Sequence, residues 1–130
     1  MKIGIGIPNS IPGTEGKLLL DWARRAEALG FSALSTIGRV VYPSFEELTT
    51  LAAAAGATER IGLLTGVLLE PTREPVQLAK SAASLDQLSA GRFILGMAAG
   101  GRPAMEPKLP CGWISVCRMF QSWANRTSVP

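Results

Sequence analysis

Residues 70–102 read EPTREPVQLAKSAASLDQLSAGRFILGMAAGGR, and this stretch decides the fold class. Proline suits the first helical turn, where its missing N–H has no intrahelical partner, so a helix is predicted to begin near Pro75. Apolar residues then recur at helical spacing as far as Leu88, and Gly91 suits the left-handed residue that closes a helix. Phe93 to Met97 is an apolar run of strand length, which predicts a strand buried on both faces.

The same alternation of helix and strand patterns runs back to the first residue. Strands are predicted at residues 2–7, 31–36 and 61–69. The helix after the first strand has a predicted apolar face, made of Leu19, Trp22, Ala23, Ala26 and Leu29. Before the second helix, Ser44 and Glu47 have the spacing of a capping box, in which each side chain accepts from a backbone N–H of the helix start. The order β-α-β-α-β-α-β predicts an α/β protein with one domain over residues 1–102.

The composition excludes several classes of protein. The 130 residues are 47% hydrophobic and 18% charged, as in a globular domain and unlike a disordered or fibrous chain. Because the sequence has no long apolar run and no signal-peptide pattern, a cytoplasmic protein without a membrane partner is expected. The net charge of +3 divides into +1 over residues 1–103 and +2 over residues 104–130. The α/β part has no basic cluster, so no nucleic-acid partner is expected.

The sequence contains no histidine, which limits the chemistry available to it. Ser-His-Asp and Cys-His nucleophilic machinery is excluded, and so is the commonest general base. Cys111 and Cys117 lack the short CxxC spacing of a metal site, so no metal is expected and both are interpreted as free thiols in a reducing compartment. Any catalysis must therefore rest on a cofactor or on carboxylates.

Glycines 96, 100 and 101 bring bare backbone to the carboxyl end of the last predicted strand. Open parallel sheets and α/β barrels both bind ligands at that end, so a small-molecule site is predicted here. The stretch from Gly96 to Arg102 lacks the Lys and Ser or Thr of a P-loop, and Gly4 and Gly6 lie inside a strand rather than in a dinucleotide-binding turn.

Residues 103–130 depart from this pattern. Four of the nine prolines, both cysteines and two of the three tryptophans lie there, without a clear helix or strand period for most of the length. Two interpretations are open: a natural arm with a short apolar helix docked on the sheet, or an atypical tail that is out of frame or disordered.

One family shares many of these spacings. The shared run comprises Thr65-Gly66-Val67-Leu68-Leu69, Pro71, Arg73, Pro75, Leu78-Ala79-Lys80, Leu85-Asp86, Leu88-Ser89, Gly91-Arg92 and Leu95-Gly96. In these residues the sequence resembles the bacterial-luciferase-like family of flavin-dependent oxidoreductases, and the resemblance extends more loosely over residues 1–102. It implies the N-terminal half of a (β/α)8 TIM barrel, since a full barrel needs roughly 250 residues.

The resemblance also implies a cofactor and its site. Family members bind reduced FMN or a deazaflavin coenzyme and carry out oxygen insertion or hydride transfer on a small-molecule substrate. A bulge with a non-prolyl cis peptide supports the flavin ring, and the matching positions are Gly66 and Val67. The loop beside the flavin corresponds to Ala98, Ala99, Gly100 and Gly101. No catalytic residue is assigned.

Three arginines near the predicted strand ends have alternative interpretations. Arg39 either contacts an anionic flavin or substrate, or is a surface residue on a loop. Arg73 is expected to fix its own loop. Arg92 is expected to pair with Asp86 at the end of the third helix.

Three functions follow from the resemblance. The first is a luciferase-like flavin-dependent monooxygenase or oxidoreductase, in a truncated form with impaired activity because the family draws flavin phosphate ligands from the second half of the barrel. The second is a non-catalytic remnant of such an enzyme. The third is a half-barrel that forms a homodimer as an interaction module, because four parallel strands cannot close a barrel and leave open edges.

Overall fold

The structure is a computed structural model that describes residues 1–40 and 42–99. In chain order its elements are β1 (Gly4–Gly6), α1 (Gly16–Ala28), β2 (Ala33–Thr36), α2 (Glu47–Ala57), β3 (Gly62–Thr65), β4 (Leu68–Leu69), a single 3-10 turn (Glu70–Thr72), α3 (Pro75–Leu88), β5 (Phe93–Ile94) and β6 (Met97–Ala98). The predicted alternation of strands and helices is confirmed, including the start of α3 at Pro75. The tail at 103–130 lies outside the described residues.

Four strands form one parallel sheet in the order β1-β2-β3-β5, and β4 pairs with β6 in a short parallel ladder. Each strand of the sheet therefore lies beside the next strand of the strand-helix repeat. This order, with a helix between successive strands, is the local arrangement of a (β/α) barrel. The predicted α/β class is confirmed in the form of a partial barrel.

The core lies between the sheet and its helices. Leu34 of β2 and Leu63 of β3 are neighbours in register and are fully buried against the helices, which contribute Leu19, Ala23, Leu51, Ala54, Leu78 and Leu85. The alternate residues of the strands point to the opposite face. There Ser35 and Leu64 are half-buried, and Ile94 is 59% exposed.

Two predictions about burial are wrong. Phe93 to Met97 is not buried on both faces, because Ile94 lies on the sheet face that no described helix covers. On α1, Leu19, Ala23 and Ala26 are buried as predicted, whereas Trp22 and Leu29 are exposed. The buried face of α1 is therefore narrower than the apolar face predicted from the sequence.

The start of α2 is capped differently from the prediction. Glu46, not the Ser44–Glu47 box, supplies the cap: its carboxylate accepts from the N–H of Leu48 at 3.0 Å and of Thr49 at 2.6 Å. Because α2 begins at Glu47, Ser44 lies before the cap, and its hydroxyl donates to the Tyr42 carbonyl at 3.3 Å. Burial raises the pKa of Glu46, but these N–H groups and Arg73 outweigh it and hold the pKa below its ordinary value.

Arg92 does not pair with Asp86 as predicted. Its guanidinium instead donates to the ends of the neighbouring elements, at distances of 2.8–3.1 Å: to the carbonyls of Ser89, Ile61, Ala55 and Thr58 and to the Thr58 hydroxyl. The carbonyls at a helix C-terminus have no intrahelical partner, and a cation there is also favoured by the helix dipole. Arg92 thus joins α2, α3 and β3 at the amino ends of the strands.

Glu27 of α1 holds the loop between α2 and β3. Its carboxylate accepts from the N–H of Glu59, Arg60 and Ile61, at distances from 2.6 to 3.2 Å. Burial raises the pKa of Glu27, but the N–H groups of Arg60, Ile61 and Glu59 outweigh it and hold the pKa below its ordinary value of 4.5. The ionised carboxylate is therefore favoured by the fold.

We expect Glu27→Gln to lower the free energy of unfolding at pH 7 by about 1 kcal/mol, because an amide offers one acceptor oxygen instead of two charged ones. A depressed carboxyl pKa contributes stability above the unfolded pKa and loses it as the pH falls through the folded pKa. The difference between the variant and the parent chain should therefore shrink below pH 4.5. Urea unfolding at pH 7, 5 and 3 measures it, and a difference that does not change with pH contradicts the assignment.

Candidate functional site

The carboxyl end of β3 is joined to the end of β2 by a bulge at Gly66 and Val67. The peptide bond between these two residues is cis, as the resemblance to the family implies. The Gly66 N–H donates to the Thr36 carbonyl at 2.8 Å, and the Gly38 N–H donates to the Val67 carbonyl at 3.2 Å. The predicted single strand over residues 61–69 is therefore two strands, β3 and β4, on either side of this bulge.

The bulge presents its backbone outward. Gly66 is exposed, and Val67 is 39% exposed. A side chain on Gly66 would run into the hydroxyl of Ser35 on the neighbouring strand. The strand end thus offers a bare peptide surface next to one hydroxyl group.

β3 pairs with β5, and beyond the end of this pairing the side chain of Thr65 continues the contact between the two segments. The Thr65 hydroxyl donates to the Gly96 carbonyl at 2.8 Å and accepts from the Gly96 N–H at 2.8 Å. The Leu68 N–H donates to the same Gly96 carbonyl at 2.9 Å, and β4 then pairs with β6. This detour also explains why the predicted strand over residues 93–97 is divided into β5 and β6.

Four of the predicted positions, Gly66, Val67, Ala98 and Ala99, lie at this edge of the sheet. Ala98 of β6 lies beside Leu69 in register, two residues beyond the bulge, and Ala99 after it is exposed. Both have small side chains, so a planar ring could approach the backbone closely. Gly100 and Gly101 lie outside the described residues. The role of all these residues in cofactor binding stays a prediction.

Arg39 follows β2 at the same edge. Its Nη1 donates to the carbonyl of Gly38 at 3.0 Å, and its side chain is half-buried. The Gly38 N–H contacts the Val67 carbonyl, so the guanidinium is bonded to the peptide that follows the one bordering the bulge. The contact of Arg39 with an anionic flavin or substrate stays a prediction.

The sequence analysis did not identify Asn9, which is fully buried where β1 ends. Its Oδ1 accepts from the Ile37 N–H at 3.2 Å, and its Nδ2 donates to the carbonyls of Ile37 at 3.0 Å and Phe45 at 3.2 Å. Its side chain thus extends the β1–β2 pairing and fixes the segment that leads into α2. A polar residue two positions after the predicted strand over residues 2–7 is the only signal of this role.

A charged cluster lies behind the bulge, also unidentified by the sequence analysis. Arg73 Nη2 contacts Glu46 Oε1 at 2.7 Å and Glu47 Oε1 at 3.1 Å. Glu47 and Glu70 are buried, and the Oε1 atom of Glu70 has no hydrogen-bond partner within the described part of the chain. Arg73 therefore does more than fix its own loop, because it ties the 3-10 turn to the start of α2.

Residues 1–40 and 42–99 contain no group of three or more acidic, cysteine or histidine side chains that could hold a metal ion. Within the same ranges no helix is long and apolar enough to cross a membrane. Cys111 and Cys117 lie outside the described residues.

Comparison with known proteins identifies relatives of this arrangement. A family model described as luciferase-like monooxygenase matches residues 1–112. The 4-hydroxyprotoasukamycin monooxygenase of Streptomyces nodosus subsp. asukaensis is 46% identical over 54 residues, which is 42% of this chain and 15% of that protein.

Two solved structures share the fold over most of the described residues. The oxygenating constituent of 3,6-diketocamphane monooxygenase from Pseudomonas putida, in complex with FMN, has a TM-score of 0.67 and 27% identity, over 80% of this chain and 31% of that one. The coenzyme F420 dependent tetrahydromethanopterin reductase from Methanopyrus kandleri has a TM-score of 0.68 and 29% identity, over 80% of this chain and 28% of that one. The chain thus spans about a third or less of the relatives it matches.

Proposed function

The chain belongs to the luciferase-like monooxygenase family, and from that premise we propose that it binds a flavin or deazaflavin at the bulge of Gly66 and Val67 and serves flavin-dependent oxidoreduction. The observation that carries the proposal is the exposed backbone of the bulge, bordered on one side by Gly38 and on the other by Gly96, from which β6 leads on to Ala98. Bare backbone at the carboxyl ends of parallel strands is where α/β folds hold ligands. The similar monooxygenase in complex with FMN and the similar coenzyme F420 dependent reductase support this class of cofactor.

Each residue has a defined part in this proposal. Gly66 and Val67 offer a peptide surface for a planar ring, because Gly66 has no side chain and the bulge faces outward. Ala98 and Ala99 have small side chains that leave room beside the ring, and the resemblance adds Gly100 and Gly101, which lie outside the described residues. Arg39 offers a cation to an anionic flavin or substrate. When bound, a reduced flavin supplies a hydride or the electrons that activate oxygen.

Titration with FMN and with coenzyme F420, followed by fluorescence, tests the proposal. We expect saturable binding to the parent chain. Ala99→Trp should weaken it at least tenfold, because the proposal places Ala99 beside the ring and a large side chain there would occupy that space, while no core contact of this exposed residue is lost. Ala53→Trp is the matched control. Ala53 is an exposed residue of α2 that is not part of the candidate site, so this variant should bind like the parent. Equal affinity in both variants, or no saturable binding by the parent, contradicts the proposal.

A second candidate is a homodimer built on the open sheet face. The observation that favours it is the uncovered position of Ile94 beside Leu64 in register, since the described helices cover only the other face. An exposed apolar sheet face is a common protein contact. Sedimentation at micromolar concentration distinguishes this candidate: a dimer that Ile94→Asp dissociates supports it, and a monomeric parent chain excludes it.

A further inference from the structure

The Arg73–Glu47 ion pair lies directly behind the candidate site. Glu47 has an 8% exposed side chain and Arg73 a 26% exposed one, with 3.1 Å between Nη2 and Oε1. Removing one partner of such a pair is costly, because the remaining charge is left without its counterion in a place with little water. Arg73 also contacts Glu46, but that carboxylate is held independently by the two N–H groups at the start of α2.

Glu47 in turn packs against the backbone that borders the bulge. A Cβ atom placed on Gly38 would lie 2.8 Å from Glu47 Oε1 and 3.1 Å from the Val67 carbonyl oxygen. Gly38 is itself buried, and its N–H donates to that carbonyl. The carboxylate of Glu47 and the bulge therefore enclose the Gly38 peptide from two sides.

We propose that Arg73 is a positioning residue: it holds Glu47 against Gly38 and thereby fixes the Gly38–Val67 contact that shapes the bulge. The ligand part of this inference rests on the proposed function, whereas the positioning itself is measurable without any ligand. Without Arg73 the Glu47 carboxylate is left unpaired and is no longer held in place against Gly38. The start of α2 is retained because Glu46 still caps it.

Amide hydrogen exchange by NMR on the full chain tests the positioning. In Arg73→Met we expect exchange of the Gly38 and Gly66 N–H groups to accelerate at least tenfold, since both bonds cross between β2 and the bulge. The Gly62 N–H, which donates to the Ser32 carbonyl at 3.0 Å in the same sheet, should change by less than twofold. Arg24→Met, which breaks the exposed contact with Asp21, is the matched control and should leave all three amides unchanged. Equal acceleration of all three amides, or none at Gly38, overturns the proposal.

The double variant Arg73→Met/Glu47→Gln separates positioning from general stability. It removes the unpaired buried charge, so its thermal midpoint should recover most of what Arg73→Met loses. Fast exchange of the Gly38 N–H should persist, because the side-chain amide that Glu47→Gln introduces has no Arg73 cation to hold it against Gly38. Recovery of slow exchange together with the midpoint would overturn the positioning role.

Flavin binding supplies the second readout. FMN affinity should fall at least tenfold in both Arg73→Met and the double variant. If FMN affinity is unchanged although the Gly38 and Gly66 amides exchange faster, the link between the ion pair and the ligand site is overturned. If the parent chain binds no flavin, the proposed function fails, and the exchange rates alone decide whether Arg73 positions the bulge.

Discussion

Arg92→Met should lower the free energy of unfolding by about 3 kcal/mol or more. Hydrogen bonds from a charged donor contribute about 1.5–3 kcal/mol each. The five bonds of one side chain are coupled, so the total loss is smaller than the sum of the five contributions. The guanidinium makes five contacts within 3.1 Å, four of them with backbone carbonyls. Methionine keeps the unbranched apolar stem of the side chain, but leaves the carbonyls of Ala55, Thr58 and Ile61 without this donor.

Two comparisons make the Arg92 prediction specific. Arg92→Lys retains the charge but has one nitrogen instead of a planar fork, so it should recover only a part of the loss. Arg24→Met removes an exposed arginine whose contact with Asp21 is 3.2 Å, and it should change stability by about 0.5 kcal/mol at most. Urea unfolding measures all three. A loss in Arg92→Met no larger than in Arg24→Met contradicts the contacts described for Arg92.

Gly96→Ala is the second substitution with a large expected effect, a loss of about 2–3 kcal/mol from forced overpacking. A Cβ atom on Gly96 would run into the backbone carbonyl oxygen of Thr65. Because that oxygen belongs to β3 and cannot rotate away, the two strands must separate. Separation also breaks the two hydrogen bonds that join the Thr65 hydroxyl to the N–H and the carbonyl of Gly96.

Gly56→Ala is the matched control for Gly96→Ala. Gly56 lies within α2, and a Cβ atom placed there meets nothing within 4 Å beyond its own helix. The same chemical change should therefore stabilise the chain, by about 0.5–1 kcal/mol, since alanine is the better helix former. Thermal or urea unfolding of both variants reads out the difference in sign. A stable Gly96→Ala chain would show that the strands do not approach as closely as described.

The elements of the fold were predictable where one local rule decides them. Pro75 at the first turn of α3 and Gly91 after its end, with φ of +77°, follow from the backbone preferences of these two residue types. The cis bond at Gly66 and Val67 was predictable only through the resemblance to a family. No spacing rule identifies it.

The errors lie where side chains replace backbone interactions over long sequence distances. Thr65 bonds to Gly96, 31 residues away, and this side-chain contact divides two apolar runs that read as continuous strands. Asn9 bonds to Ile37 and Phe45 in the same manner. Glu46 caps α2 although Ser44 lies close by, because the helix begins one residue after the glutamate. Hydrogen-bond partners that are distant in the sequence depend on the topology of the fold, and the local sequence pattern carries no information about it.

The candidate site divides in the same way. Gly66, Val67, Ala98 and Ala99 were predictable through the resemblance to the family, and the structure places them at the carboxyl ends of neighbouring strands. The charged groups behind them, Glu47 and Arg73, were not recognised as a pair because 26 positions separate them in the sequence.

Mapping FMN onto the chain by NMR tests the central claim most directly. Backbone amide shifts recorded during titration with FMN should concentrate at the carboxyl ends of the strands: Gly38, Gly66, Val67, Ala98 and Ala99. Amides at the opposite ends, such as Gly62 and Arg92, should not move. Shifts confined to those amino ends, or an unchanged spectrum at millimolar FMN, would contradict a flavin site at the bulge.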